Sequence, residues 1–170
     1  IHSLCIDGNR FVPIKLIDIA GLVPGAHLGK GLGNKFLDDA RQADAIIHVV
    51  DASGSTDSEG KVVEKAYGDP LFDIKFIEEE FDQWILSIIN RDWNKISRDM
   101  ANQKLKIDQI LTKRLSGLSV TIDTISNALS KVGLTNKNPD NWTREELLEL
   151  VKLIRKNSKP LLILANKADI

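Results

Sequence analysis

Lys15-Leu16-Ile17-Asp18-Ile19-Ala20-Gly21-Leu22 is an aliphatic run that ends abruptly in Asp-x-x-Gly, and Val23-Pro24-Gly25-Ala26-His27-Leu28-Gly29-Lys30-Gly31-Leu32-Gly33 follows at once. A short apolar run bounded by turn residues reads as a buried strand. Here the strand delivers an aspartate and then a glycine at its C-terminal end. Nucleotide-binding α/β folds use that order chemically: the carboxylate faces a hydrated Mg²⁺ and the glycine N–H faces the terminal phosphate. Four residues are a short pattern, and a strand that ends in turn chemistry needs no ligand. The remainder of the chain has to decide.

A second signal stands at the other end. Lys159-Pro160-Leu161-Leu162-Ile163-Leu164-Ala165-Asn166-Lys167-Ala168-Asp169 reads as another fully buried strand, running into Asn-Lys-x-Asp. The aspartate can accept hydrogen bonds from N1–H and the N2 amino group of guanine, a pairing adenine cannot reproduce. The lysine stem can lie along the base, and the asparagine amide can serve the base edge and brace a neighbouring loop. Between the two lies a third apolar run, Ala45-Ile46-Ile47-His48-Val49-Val50-Asp51-Ala52. Three candidates for a parallel sheet therefore follow in order, and the two polar motifs sit at the C-terminal tips of the outer ones.

The residues Asp18 to Ala26, Gly29 to Asp39, His48 to Ser53 and Asn166 to Asp169 together resemble the GTPase domain of the Obg/YchF group of P-loop GTPases, within the translation-factor-related (TRAFAC) class. The closest similarity is to archaeal YchF-like GTP-binding proteins. It extends over essentially the whole chain, and the glycine-rich block is its most specific part. The resemblance implies an α/β, mostly parallel sheet with one antiparallel edge and an inserted α-helical, coiled-coil-like domain. It also implies a Mg²⁺-dependent GTPase acting as a conformational switch, cytoplasmic and linked to the ribosome or translation. Asp18 would hold Mg²⁺ through water, Gly21 would sense the γ-phosphate, and Asn166, Lys167 and Asp169 would read guanine. Leu22 occupies the place where many GTPases carry a water-positioning glutamine. Water would then be positioned by backbone groups of the glycine-rich block, a residue elsewhere, a monovalent cation or a partner, and His27 is read as a bystander. Two alternatives stay open. One is a YchF-type ATPase preferring adenine, against which Lys167 and Asp169 argue. The other is a ribosome- or RNA-docking module in which nucleotide only regulates binding.

With 42% hydrophobic and 28% charged residues among 170, the chain can bury a sizeable core. A net charge of -1 gives no reason to expect general nucleic-acid or membrane attraction. The single cysteine, Cys5, excludes an internal disulfide and reads as a strand residue. No metal-ligand cluster, signal peptide or membrane-length apolar run is evident.

Taken in order, Ser3 to Ile6 and Phe11 to Ile19, joined by Asp7-Gly8-Asn9-Arg10, read as a β-hairpin. A helix is expected from Gly33 to Arg41 with Phe36, Leu37 and Ala40 on one face. The five glycines from Gly21 to Gly33 fit a mobile, nucleotide-sensing switch. Gly25-Ala-His-Leu-Gly29-Lys30-Gly31 imitates the phosphate-cradling loop, but three residues separate its glycines instead of four, and Gly31 replaces the Mg²⁺-binding hydroxyl. The true loop, and the threonine of the first switch, are expected upstream of Ile1. Both ends read as cuts through a domain, and the segment alone is expected to be inactive.

After the polar connection from Ala52 to Gly60 the period changes. Ile74, Ile77, Phe81, Trp84, Ile85, Ile88 and Ile89 recur at helical spacing over Asp73 to Ser97. Further helices are expected over Asp99 to Leu115, over Ser119 to Val132 with Ile122, Ile125 and Leu129 inward, and from the capping box Thr143-Arg-Glu-Glu146 to Lys156. Residues 1–69 then form the first part of the GTPase domain, 70–141 the helical insertion, and 142–170 the second part. Lys95, Arg98, Lys104, Lys106, Lys113 and Arg114 alternate with acids and form no compact basic patch. The three tryptophans read as packing residues.

Overall fold

The computed structural model describes residues 4–12, 14–19, 33–57, 60–64, 67–91, 93, 96, 100 and 106–169. Strands β1 (Leu4–Ile6) and β2 (Asn9–Phe11) form an antiparallel hairpin with Cys5 opposite Arg10. Asp7 and Gly8 take φ of 50° and 78°, the two left-handed residues that a two-residue hairpin turn needs. The hairpin is shorter than the sequence implies. Residues 14–19 form no strand, and Ile14 and Leu16 are exposed, although Ile19 packs into a small apolar cluster. An aliphatic run becomes a strand only when a neighbour takes up its backbone hydrogen bonds. Among the described residues none does so here.

Strands β3 (Ile46–Asp51) and β4 (Leu161–Asn166) pair in parallel, in register from Ile46 opposite Leu161 to Asp51 opposite Asn166. The ladder continues at both ends through Ile46 N–H to Pro160 O (3.0 Å) and Ala52 N–H to Asn166 O (2.9 Å). These runs are not buried on both sides as expected. Ile46 and Val50 point into the core, whereas Ile47, Val49, Leu162 and Leu164 are 48, 56, 62 and 46% exposed. The covered face receives Ala40 of α1 (Gly33–Gln42) and Ile77 and Phe81 of α2 (Pro70–Asn90). The α1 bounds match expectation; the Phe36 and Leu37 side chains lie outside the described residues.

Helix α2 starts earlier than its apolar period does. Asp69 caps it by accepting from Leu71 N–H (2.9 Å), and Pro70 fills the first turn, where its missing donor costs nothing. Its N-terminal half lies on the sheet. Its C-terminal half supplies Ile85, Leu86 and Ile89 to a second, larger core shared with α3 (Ile107–Arg114), α4 (Ile122–Val132) and α5 (Arg144–Ser158). Helix α4 begins at Ile122 and not at Ser119. Ser119 has φ 57° and closes the preceding 3₁₀ turn, while Thr121 Oγ1 accepts from Thr124 N–H (3.2 Å) as the cap. Ile122 is consequently exposed, with Ile125 and Leu129 buried.

The capping box of α5 forms as read: Glu146 N–H donates to Thr143 Oγ1 (3.2 Å) and Thr143 N–H to Glu146 Oε2 (2.8 Å). Lys137 Nζ adds a 2.7 Å bond to Glu146. Trp93 and Trp142 pack with ring centres 5.6 Å apart, and Trp142 Nε1–H donates to Lys137 O (3.0 Å). Two buried cations tie the elements together. Arg155 of α5, 5% exposed, donates through Nε to Asp82 Oδ1 of α2 (2.6 Å), and through Nη1 to Glu78 (3.3 Å). Lys159, between α5 and β4 and 2% exposed, donates to Arg41 O (3.0 Å) and to Ala43 O at the C-terminal end of α1. Burial pushes the Lys159 pKa below its usual range, with Asp44 acting in the opposite direction. Among the described residues no helix is long and apolar enough to cross a membrane.

Candidate nucleotide site

The parallel register sets Asp51 beside Asn166, so the C-terminal tips of β3 and β4 bring their polar residues to one edge. Crevices outside the carboxyl ends of parallel strands are where open α/β sheets bind ligands. Immediately after β4, Lys167 adopts φ 57°, a left-handed conformation that costs a non-glycine residue roughly 1–2 kcal/mol. Its ammonium is held on the far side of the edge, 2.9 Å from Asp51 Oδ2 and 3.0 Å from Ser55 Oγ. Its own N–H donates to Asn166 Oδ1 (3.0 Å). Asp169 follows, exposed.

Asp51 is the centre of this arrangement, and sequence reasoning gave it no role. Its Oδ1 accepts from Ser53 Oγ (2.6 Å) and Ser53 N–H (3.1 Å); its Oδ2 accepts from Ser55 Oγ (2.7 Å), Thr56 Oγ1 (2.9 Å) and Lys167. The signal was present: an aspartate at a strand end with hydroxyls two, four and five residues later is turn chemistry around a carboxylate. The loop carrying those hydroxyls folds back on itself through Gly68 N–H to Gly54 O (2.9 Å). A side chain at Gly68 would collide with the Thr56 carbonyl.

The Ser53 hydroxyl, followed by Lys167 and Ser55, holds the Asp51 carboxyl well below the usual carboxylate range. A carboxyl depressed on folding stabilises the fold at pH above its unfolded value, about 3.9, and loses that contribution as pH falls through its folded value. The Lys167–Asp51 lock is therefore expected to be indifferent to pH between about 5 and 8. Thermal unfolding of the intact protein and of Asp51→Asn should differ by a constant amount over that window and converge in strong acid. A difference that already closes near neutrality would contradict the network.

The structure thus gathers Asn166 and Lys167 with Asp51, and Asp169 lies exposed two residues further on. Asp18 is exposed on the unpaired segment, and Gly21, Leu22 and the glycine-rich block lie outside the described residues. The described residues contain no group of three or more His, Cys, Asp or Glu side chains able to hold a metal ion. A lone exposed carboxylate such as Asp18 suits a cation like Mg²⁺ that keeps most of its waters, and not one enclosed in a protein cage.

A parallel strand pair with Asn-Lys-x-Asp at one tip, locked to a carboxylate at the other, defines a nucleotide-binding α/β protein of the GTPase-domain type. Residues 4–167 match the family described as 50S ribosome-binding GTPase, and the chain belongs to that family. It is 52% identical over 168 residues to a GTP-binding protein of Methanocaldococcus jannaschii, covering 99% of this chain and 41% of that protein. It is 36% identical over 169 residues to the ribosome-binding ATPase YchF of Bacillus subtilis, covering 96% of this chain and 42% of the relative. The crystal structure of a GTP-binding protein from Pyrococcus horikoshii superposes with a TM-score of 0.82 at 36% identity, over 98% of this chain and 43% of that one. The chain spans about two fifths of the length of these relatives.

Proposed function

We propose that this protein is a GTP-binding and GTP-hydrolysing switch of the Obg/YchF type, acting in the cytoplasm on or near the ribosome. The observation that carries the reading is the Lys167 lock. The ammonium is fixed by Asp51 and Ser55, so the lysine stem and the following Asp169 are presented at the sheet edge in a strained, preset turn. That arrangement supports reading of guanine by Asn166, Lys167 and Asp169, with the Asp169 carboxylate taking the two donors of the base. Asp18 is assigned to Mg²⁺ through water and Gly21 to the γ-phosphate. When bound, Mg²⁺ neutralises charge on the β- and γ-phosphate oxygens. Residues 70–141 are taken as a helical insertion between two parts of the GTPase domain, 1–69 and 142–170; α2 bridges them, standing on the sheet with Ile77 and Phe81.

The name of the Bacillus subtilis relative favours a second reading, ATP as substrate. Displacement of a fluorescent guanine nucleotide from the intact protein by GTP, GDP and ATP separates the two. GTP and GDP are expected to displace it at far lower concentration, and the reverse order would overturn the guanine assignment.

The Leu22 side chain can neither donate nor accept a hydrogen bond, so it cannot orient the attacking water as a glutamine amide would. Intrinsic turnover is accordingly expected to be slow, and Leu22→Ala to change it by less than about tenfold, roughly 1.4 kcal/mol. Single-turnover hydrolysis at saturating Mg²⁺ measures this. A thousandfold loss with affinity and folding intact would make Leu22 itself an organiser of the catalytic centre.

A further inference from the structure

Asp51 and Lys167 share one salt bridge at the strand tips, and the rest of their contacts divide sharply. The Asp51 carboxylate takes five donors: Ser53 Oγ and N–H, Ser55 Oγ, Thr56 Oγ1 and Lys167 Nζ. A carboxylate has about four lone-pair sites, so nothing of it is left for a ligand. Its side chain is 11% exposed, against 36% for Lys167. The loop itself holds the hydroxyls in place. Ser55 O accepts from Val63 N–H (2.9 Å), Thr56 forms an antiparallel bridge with Val62, and Gly54 O accepts from Gly68 N–H. The carboxylate is therefore fixed by contacts that do not involve Lys167.

On the lysine, two of the three ammonium N–H donors are committed, to Asp51 Oδ2 and Ser55 Oγ. The charge is met at 2.9 Å by a carboxylate that its own hydrogen bonds keep ionised. The uncommitted part is the apolar stem, anchored at one end by a backbone at φ 57° and at the other by the ammonium. A free lysine loses rotamer entropy each time a ligand orders it, and a stem already ordered does not. Such a stem can cover a flat base. A neutralised ammonium, by contrast, adds little attraction for phosphate.

We infer that Asp51 is a positioning residue for base selection: it takes up the Lys167 charge, so that Lys167 serves guanine through its stem and not through its ammonium. The inference rests on the assignment of Asn166, Lys167 and Asp169 to guanine. It adds that selectivity depends on a carboxylate that does not itself meet the nucleotide, and on the hydroxyl loop after β3 that holds it.

Calorimetric titration of the intact protein with GTP and with ATP, each with Mg²⁺ and below the melting temperature of every variant, tests this. Asp51→Asn is expected to narrow the GTP-over-ATP preference about tenfold by lowering GTP affinity, the size of a lost charge-assisted contact. A purely structural role for Asp51 would weaken both nucleotides alike and leave the ratio unmoved. Lys167→Met keeps most of the stem but loses its anchor, and is expected to narrow the preference to a similar degree. The double variant is expected to lose no more than the worse single one, because both changes open the same contact. Ser55→Ala keeps both charges and four of the five Asp51 contacts, so it reports even where Asp51→Asn folds poorly. It is expected to narrow the preference by about threefold, as befits one neutral hydrogen bond. An unchanged ratio in Asp51→Asn and Ser55→Ala overturns the inference. Additive losses in the double variant also overturn it, since carboxylate and ammonium would then act separately. A rise in GTP affinity in Asp51→Asn does the same, because the freed ammonium would be reaching phosphate. Asp169→Asn separates the two levels. If it narrows the preference while Asp51→Asn does not, the guanine assignment stands and this inference alone falls; if neither narrows it, both fall.

Discussion

Arg155→Met is expected to destabilise the protein by about 3–5 kcal/mol, the cost of leaving a buried carboxylate without its partner. Asp82 and Arg155 are each 5% exposed, and their 2.6 Å contact joins α2 to α5 across the chain. Burial pushes the Asp82 pKa up while the Arg155 hydrogen bond and charge pull it down, and burial prevails. Once Arg155 is gone, nothing within the pair offsets that penalty. Glu78, the second acid on Arg155, is half-exposed and can turn to water. The double variant Arg155→Met/Asp82→Leu removes both charges and should recover most of the loss, because apolar side chains often replace a buried ion pair without cost. Urea unfolding of the wild type and the two variants is the measurement. A loss under 1 kcal/mol in the single variant would show that water or another side chain solvates Asp82. Function should follow stability here, since α5 leads directly into β4 and so into Asn166.

Asp169→Asn is expected to lower GTP affinity ten- to a hundredfold. The carboxylate accepts two donors from guanine, and the amide keeps one acceptor oxygen and turns a donor toward the other. Loss of a charge-assisted contact of this kind costs roughly 1.5–3 kcal/mol. The fold should be indifferent, since Asp169 is exposed and lies beyond the last paired residue of β4. Calorimetric titration of the intact protein with GTP and ATP gives the decision. Unchanged GTP affinity would count directly against the assigned role, whereas a narrowed gap between GTP and ATP would support it.

What the sequence disclosed was local. Asn166-Lys-Ala-Asp169 at the end of an aliphatic run, the Thr143/Glu146 box and the spacing of Ile77, Phe81 and Ile85 each depend on neighbours within a turn or two, and each appears in the structure where it was read. Features that depend on distant partners were not legible. The run from 14 to 19 has strand composition and no strand, because pairing is a property of two segments. Ile47 and Val49 look as buried as Ile46 and Val50, and only the placement of α1 and α2 on one side distinguishes them. Asp51 needed Lys167, 116 residues away, before its row of hydroxyls became part of a site.

The Lys159 contact has a mechanical consequence. Its ammonium binds the carbonyls of Arg41 and Ala43, so the C-terminal end of α1 is pinned to the start of β4, while the other end opens into the glycine-rich block. The pin fixes the C-terminal end of α1 against sliding. Ten residues of helix are about 15 Å long, so a tilt of about 10° carries the Gly33 end through nearly 3 Å while Arg41, beside the fulcrum, barely moves. A tilt about that pin would be a swing at Gly33 and only a small rotation at Arg41. Lengthening the arm by a helical turn, or cutting the pin with Lys159→Met, changes the gearing between the two.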